Sequence, residues 1–316
     1  KVDDEDGSKG NFLINNVSVT GLKDQKAAQM LLKDMTFDMY DPSEDMDMKA
    51  NIGNIDIRGF DWGMFMPEEG EKLEDSFESG FMAGLNPKDP ANPGYDSIDI
   101  KDFDVDMSGV TFDMPKMVSK VSKDKKGRAV KVTTEPVKMT LTAGEGKLGE
   151  QLGAQLAMLG YEKLELTMAG EQTYDPDADI VTLAKGKNYW ELKDGFRLDF
   201  GAKYAGAAGM AESQAAEMDS GTQDPSAMFD AMMEKLTIHS FEMALDDDGI
   251  VDRAFNAYAA QSGEDPQQVR NQMAGMMAML PMMASGSGID MELATEASTA
   301  LSSFITDPKT LTISLK

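Results

Sequence analysis

The chain has no cysteine and only one histidine, His239. The lack of thiols excludes disulfides, zinc–thiolate sites, iron–sulfur clusters and cysteine catalysis. No apolar run reaches the roughly 18 residues of a membrane-spanning helix. Basic residues are also scarce, at 30 against 56 acidic residues, and the formal net charge is -26. Because this charge repels phosphates and anionic headgroups, we expect no nucleic-acid partner.

What the chain does contain is methionine, at 27 positions, often beside aspartate. The segment 36–49, TFDMYDPSEDMDMK, alternates apolar and acidic residues. Successive side chains of a strand point to opposite faces, so this pattern predicts strands with one methionine-lined face and one acidic, solvated face. An antiparallel sheet can carry that asymmetry, whereas a fully buried parallel sheet cannot.

A finer apolar pattern recurs in four segments, with apolar residues at positions one, three, six and eight. The segments are 12–19, 55–62, 98–105 and 236–243. The second and third apolar residues of each segment are three positions apart, and this step of three reverses the alternation. A bulge or twist at the step would return both apolar pairs to one face. The first three copies start 43 residues apart, which suggests a structural repeat.

Between these strands, helical periodicity predicts several helices that pack on the sheet. The predicted helices are 23–33, 67–82, 146–161, 224–236, 249–263, 265–280 and 294–305. A central meander and a final strand complete the pattern, at 129–143, 163–174, 178–186, 189–206 and 309–316. We therefore expect an α+β protein with an extended, twisted, mostly antiparallel sheet and helices that cover one apolar face.

Two segments without strand periodicity divide the chain. One is a proline-rich linker at 86–94, and the other is a segment of mostly small residues at 205–225. They predict three regions: an N-terminal strand/helix repeat region at 1–86, a central strand meander with one helix at 95–206, and a C-terminal region at 224–316 with a strand, helices and the final strand.

Metal sites are alternatives that the sequence leaves open. The segments 175–179, DPDAD, and 246–249, DDDG, carry alternating carboxylates as calcium loops do, but other required ligands are missing, and turns at strand ends explain them better. Methionines at 273–283 have the density of a copper-binding segment. Their spacing also fits a core-facing helical stripe, formed by Val269, Met273, Met276, Met277, Leu280 and Met283.

Nothing in the sequence indicates an enzyme. His239 occupies the position that Asn15, Arg58 and Lys101 hold in the other copies of the apolar pattern, so we expect an exposed polar residue and not a catalyst. Acid–base catalysis by a carboxylate pair is a more distant alternative, because 56 acidic residues give no basis for choosing a pair.

The phrases IDIRGFDW, IDIKDFDV and LTIHSFEM resemble those of AsmA-like and related exported bacterial envelope proteins. The segments 245–270 and 305–316 are similar to uncharacterised exported proteins of that kind. The resemblance implies a long, curved antiparallel sheet with an apolar concave face, export to the periplasm after removal of a leader, and, in some members, lipid handling.

We therefore expect a non-enzymatic cell-envelope protein, without cofactor or metal, that binds a hydrophobic, lipid-like ligand or an envelope protein partner through its apolar sheet face. The residues predicted for this face are Phe60, Trp62, Phe103, Phe241 and Met243. The alternative is a structural or interaction protein whose apolar face is fully covered by its own helices.

Overall fold

The computed structural model describes residues 2–3, 9–43, 45–61, 89–211, 213, 235–284 and 291–315. Within these ranges the chain forms a single sheet of 13 strands. The strands are β1 Val2–Asp3, β2 Lys9–Thr20, β3 Lys26–Asp41, β4 Met46–Asp61, β5 Ser97–Met107, β6 Val110–Lys123, β7 Ala129–Ala143, β8 Lys163–Asp175, β9 Ile180–Leu183, β10 Tyr189–Leu192, β11 Phe196–Ala205, β12 Thr237–Asp247 and β13 Thr310–Leu315.

The sheet is a meander, in which almost every strand pairs antiparallel with its neighbour in the chain. The order runs from β1 to β8, continues through β10, β11 and β12, and ends at β13, while β9 pairs with both β8 and β11. The predicted α+β class with a mostly antiparallel sheet is therefore confirmed. Strands from all three regions inferred from the sequence hydrogen-bond into this one sheet.

Five helices have both ends within the described part of the chain, and residues 207–211 are also helical. The five helices are α1 Lys147–Met158, α2 Ile250–Ser262, α3 Pro266–Ala278, α4 Leu280–Ala284 and α5 Met291–Thr306. Four of the predicted helices are thus confirmed within a few residues. The helix predicted at 67–82 and most of the one at 224–236 lie outside the described residues.

The helix predicted at 23–33 is wrong, because this segment enters strand β3. Asp24 and Gln25 both have positive φ, at 49° and 61°. Two such residues in a row form the tight hairpin turn that matches the twist of flanking strands. Lys23 and Lys26 close the turn with reciprocal backbone hydrogen bonds of 2.8 and 2.9 Å. Pairing with β2 and β4 therefore overrides the helical propensity of the alanine and leucine residues that follow.

The core stripe predicted on the methionine-rich helix is wrong in part. Val269 is buried and Met277 is half-buried, but Met273 and Met276 are exposed. Helix α3 packs between α2 and α5, and the Ser298 hydroxyl of α5 donates a 2.8 Å hydrogen bond to the Met277 carbonyl. The contact surface therefore follows Val269 and Met277, and the neighbouring methionines point away from it.

In the copies 12–19 and 98–105, the step of three coincides with an interruption in the strand ladders, at Asn15 and Asp102. This interruption crosses β2 to β6 along a line of skipped residues: Asn15, Asp34, Gly53, Asp102 and Pro115. In the copy 55–62 the step coincides with a separate interruption, at Gly59 of β4 and Ala28 of β3. Asp34 and Asp102 have φ of 50° and 53°. At Gly53 a Cβ atom would lie 2.9 Å from the Asp102 Cβ atom, so only glycine fits there.

The strand register is the same on both sides of this line, so it is not a bulge, in which two residues of one strand oppose one residue of its neighbour. The sequence predicted a bulge or a twist there, and the structure has an interruption without a register shift. The 43-residue spacing does not correspond to a spatial repeat. Val17, Ile55 and Ile100 share one row across the sheet, although they hold positions six, one and three of their respective copies. No described helix is long and apolar enough to cross a membrane.

Candidate functional site: an apolar sheet face

One face of the sheet carries continuous rows of apolar side chains, and we call it the apolar face. Residues directly opposite one another on paired strands lie on the same face. Four such rows cross β2 to β6. The first contains Phe12, Phe37, Ala50, Val105 and Phe112; the second Ile14, Met35, Ile52, Phe103 and Met114; the third Val17, Leu32, Ile55, Ile100 and Met117; the fourth Val19, Met30, Ile57 and Ile98.

The first row continues beyond β6. Phe112 is paired with Leu141, and Leu141 with Leu164. The ring of Phe112 also makes an edge-to-face contact with Phe103 of the second row, with 5.9 Å between the ring centroids. A single apolar surface therefore extends from β2 to β8, seven strands across the sheet.

Exposure of this face changes along the sheet. At β2 the side chains are open to solvent, with 54% of Phe12 and 58% of Val17 exposed. The corresponding residues of β3, β4 and β5 are half-buried. Exposed apolar surface of this kind is uncommon in contiguous form and usually marks a binding surface.

Helix α1 packs against apolar residues of β7 and β8. Leu156 of α1 packs with Tyr161 and Leu192 in a buried cluster. The same cluster includes partly buried apolar residues from the sheet and the following helix: Ala143, Leu164, Leu166, Phe196 and Ile250.

A groove of about 390 Å³ lies between α1 and the sheet. Its walls are Val105, Met107, Val110, Phe112 and Leu141 from the strands, and Leu148, Gln151, Leu152 and Gln155 from the helix. The volume falls in the range of small-molecule sites, roughly 300–1,000 Å³. Nearly all the strand and helix residues that line it are apolar, so it suits an apolar occupant.

A second, more polar pocket adjoins the groove. Leu148 lines both, and the second pocket also contains Ser43, Asp45, Met46, Ser108 and Lys147. The groove thus has an apolar floor and a polar end.

Of the residues predicted for the ligand face, Phe103 lies nearest to the groove. It is half-buried and contacts the groove residue Phe112. Phe60 lies on the same face but only 6% of it is exposed, because it packs on Ala27 with Met30 and Ile57 around it. Trp62 lies outside the described residues.

Phe241 and Met243 lie far along the same face, near its C-terminal edge. Phe241 is paired with Ala202 and Leu315, and Met243 with Phe200 and Ile313. Both are half-buried. The structure therefore places the four described candidates on one face but not in one pocket.

Sequence reasoning missed the groove itself. Its helix residues, Leu148 and Leu152, belong to the apolar stripe that predicted α1, but the stripe does not tell which strands it contacts. Phe112 stands in the phrase TFDMP, which repeats the earlier TFDMY. That repetition was the available signal for its place on the apolar face.

The opposite face is polar and charged. Asn51 donates a 2.9 Å hydrogen bond to Asp104, its cross-strand neighbour. Glu165 of β8 pairs with two lysines. The Lys193 ammonium group lies 2.7 Å from one of its carboxylate oxygens, and the Lys163 ammonium group lies 3.3 Å from the other. Their hydrogen bonds, that of Lys193 most strongly, lower the pKa of Glu165. These carboxylates therefore act in surface ion pairs.

The acidic loops weighed as calcium sites serve turns and helix starts. Asp247 accepts hydrogen bonds from the backbone N–H groups of Gly249 and Val251, at 3.0 and 2.9 Å. Asp175 accepts from the backbone of Asp177 and Ala178 in the same way. Among the described residues no group of three or more acidic or histidine side chains is arranged to hold a metal ion.

His239 lies at a bulge in the pairing of β11 with β12. Tyr204 and Lys203 of β11 pair with Ile238 and Ser240, so the ladder skips His239. Its side chain is exposed, as predicted from its position in the apolar pattern.

Comparison with known proteins gives one match. Residues 189–316 match a family model described as "Uncharacterized protein". This segment contains strands β10 to β13 and helices α2 to α5. No curated protein and no solved structure matches the chain.

Proposed function

We propose that the protein is a non-enzymatic binding protein whose apolar face holds an extended hydrophobic, lipid-like ligand. One observation carries the proposal: the first apolar row runs without interruption from exposed Phe12 at β2 to Val105 and Phe112 in the groove under α1. An extended apolar chain laid along this row would contact apolar side chains over its whole length.

The energetics favour an apolar ligand. Burial of apolar surface contributes about 25 cal/mol per Å². More than half of Phe12, in the first row, is exposed to water, and a ligand along that row would bury it. Methionine side chains of the neighbouring strands adapt to ligands of different shape, because they are unbranched and polarisable.

The helices take part in the same proposal. We propose that they cover only part of the apolar face and that α1 forms the roof of the ligand groove. Leu148 and Leu152 would contact the ligand from above, while Val105, Phe112 and Leu141 would contact it from below.

Location in the cell envelope is the further part of the proposal. It is supported by the resemblance of the strand phrases to AsmA-like proteins, and the absence of cysteine is compatible with an oxidising compartment. Fractionation of cells that express the protein from its native gene tests it, and recovery in the cytosol would contradict it.

The binding proposal is tested by titrating the folded protein with a fluorescent fatty acid. Trp190 is an intrinsic reporter, since it lies on the apolar face and is exposed. We expect saturable binding that unlabelled fatty acid displaces. Mass spectrometry of organic extracts from natively purified protein would identify the natural ligand.

A matched pair of variants localises the binding site. Leu141 lines the groove, whereas its neighbour Thr142 is exposed on the opposite face. Leu141→Glu places a charge against the ligand and should weaken binding at least about tenfold, since desolvating the carboxylate is costly. Thr142→Glu should bind as the wild type. Absence of saturable binding, or equal binding by both variants, would leave the structural alternative in place.

A further inference from the structure

Strand β13 forms one end of the sheet. It pairs with β12 from Thr310 to Leu315, and among the described strands it has no other neighbour. An edge strand presents a row of backbone N–H and C=O groups that can pair with another chain. Natural proteins usually protect such an edge with a charge, a proline or a bulge. The β13 sequence, TLTISL, contains no charge or proline, and its pairing with β12 is regular.

The pattern of apolar and hydroxyl residues in β13 is symmetric about Ile313. Leu311, Ile313 and Leu315 lie on the apolar face, opposite Leu245, Met243 and Phe241 of β12. Thr310, Thr312 and Ser314 alternate with them on the other face. Read from either end, the segment 311–315 gives apolar, hydroxyl, apolar, hydroxyl, apolar, with Ile313 at its centre.

We propose that β13 pairs antiparallel with β13 of a second copy of this chain, about a twofold axis through Ile313. In this register Ile313 faces Ile313, Leu311 faces Leu315, and Thr312 faces Ser314. The axis is normal to the sheet, so the apolar faces of both copies lie on the same side. An isologous contact of this kind closes as a dimer and cannot propagate.

The apolar side chains of β13 are exposed, as expected of residues that a second copy would cover. Ile313 is 45% and Leu315 is 54% exposed, although both lie on the apolar face. Cross-strand pairs of β-branched and apolar residues stabilise antiparallel strands. The pairing also gives partners to the backbone groups along the outer edge of β13.

The charge distribution supports the same choice. Two copies with a formal charge of -26 each repel one another. Strand β13 has no acidic residue, and the residues next to it in the chain, Lys309 and Lys316, are basic. The edge of the sheet at β13 is therefore a place where a second acidic copy can approach.

Strand β2, near the other end of the sheet, does not offer the same fit. Its alternation reverses at Asn15, which the β2–β3 ladder skips. An antiparallel copy paired with Asn15 opposite Asn15 would bring Ile14, on the apolar face, opposite Asn16, on the polar face. Self-pairing therefore favours β13, whose alternation is unbroken.

Cysteine cross-linking tests the register, because the chain has no cysteine of its own. Directly opposite residues have Cβ atoms about 4.5–5.5 Å apart. Ile313→Cys should therefore form a disulfide-linked dimer under mild oxidation. Leu311→Cys and Leu315→Cys should each fail alone, because like residues are offset by about 13 Å along the strand, and should cross-link when mixed.

Sedimentation velocity over a concentration series tests the dimer without any cross-link. We expect wild-type protein to shift toward a dimer as its concentration rises. Ile313→Lys should raise the dissociation constant at least about tenfold, because two like charges meet at the axis. Met276→Lys is the matched control, since this exposed methionine lies on helix α3, and its dissociation constant should equal the wild-type value.

Two results would overturn the proposal. One is a wild-type chain that stays monomeric over the whole concentration series. The other is a dimer whose three single-cysteine variants cross-link equally, or one that persists in Ile313→Lys, because such a dimer would use another surface. Circular dichroism of each variant establishes that its fold is retained.

Discussion

Strand β2 and the region under α1 belong to the same apolar face but differ in how much of it is exposed to solvent. Both regions have alternating apolar residues, and the first row connects them through paired residues. At β2 more than half of Phe12 is exposed, whereas Leu156 of α1 and Leu192 of β10, which pack together, are buried. The difference lies in what packs on the face and not in the face itself.

The alternating apolar residues thus have two roles in the two regions. Where α1 packs, the apolar residues form a core, and their burial stabilises the fold. Where no described helix packs on it, as at Phe12, we expect the same kind of residue to contribute little to stability and we propose that it contacts the ligand. The substitutions below test this division, from the largest expected effect to the smallest.

Two phenylalanines of the apolar face should differ most. Phe60 is buried against Ala27, whereas Phe12 is exposed. Phe60→Ala should lower the free energy of unfolding by about 3–5 kcal/mol, because it removes a buried ring and leaves a cavity. Phe12→Ala should change it by less than about 0.5 kcal/mol. Urea denaturation followed by circular dichroism measures both, and similar losses would remove the distinction between the open and covered parts.

Two residues of α1 provide the same contrast within one helix. Leu156 faces the sheet, and Met158 is exposed. Leu156→Ala should cost about 2–5 kcal/mol of unfolding free energy, through lost burial and a residual cavity. Met158→Ala should stay within about 0.5 kcal/mol of wild type. A small effect at Leu156 would mean that α1 is only loosely attached to the sheet.

The start of α2 tests the role of the acidic loop. Asp247 accepts two backbone hydrogen bonds there, so Asp247→Ala should cost about 0.5–2 kcal/mol. Asp248 is exposed and serves as the control, with an expected change below about 0.5 kcal/mol. Thermal unfolding with and without calcium completes the test. A large, saturable stabilisation by calcium that is lost in Asp246→Ala or Asp177→Ala would contradict the assignment of these loops as turns.

The smallest expected effect is electrostatic. Two Arg128 guanidinium N–H groups donate hydrogen bonds of 2.7 and 3.2 Å to the Asp177 carboxylate, and these bonds lower the pKa of Asp177. A lowered folded-state pKa contributes stability above the ordinary pKa of aspartate, and this stability is lost as the pH falls through the folded value. Arg128→Gln should therefore lower the melting temperature slightly at pH 7.

The pH dependence distinguishes this effect from a packing effect. The difference between wild type and Arg128→Gln should shrink in acid, where Asp177 is protonated, and also in high salt, because the pair is exposed. Lys138→Gln on strand β7 is the control. A difference that persisted unchanged at low pH would indicate that Arg128 stabilises the fold by packing.

The sequence predicted most strands of the sheet, because alternation is a local property, but it did not predict β6 or the first part of β3. Ile55 and Ile57, or Ile98 and Ile100, identify a face without knowledge of any partner strand. The reversal of the alternation was also predictable from the step of three, but the sequence left open whether a bulge or a twist accommodates it. Helix α3 was signalled by Asp265 and Pro266, and the Asp265 carboxylate accepts hydrogen bonds from Gln267 and Gln268 at its first turn.

The sequence could not predict which apolar residues are buried by other segments, because burial depends on contacts between residues that are distant in the chain. Phe60 and Phe12 stand in similar phrases, yet one is core and the other is open. Met273 and Met276 fit a core stripe by spacing, but α3 turns Val269 and Met277 toward its neighbours. The segment 23–33 has helical composition, and the turn at Asp24 and Gln25 commits it to a strand only because β2 and β4 are there to pair with it.

The central claim is that the open apolar face binds a hydrophobic ligand, and two adjacent residues of β2 test it most directly. Phe12 lies on the apolar face and Leu13 on the opposite face, and both are about half exposed, at 54% and 48%. Phe12→Lys and Leu13→Lys therefore introduce the same charge one residue apart. In a fluorescent fatty-acid titration, we predict that Phe12→Lys weakens binding several-fold while Leu13→Lys binds as wild type. Equal affinities for the two variants, or no saturable binding by the wild type, would contradict the claim.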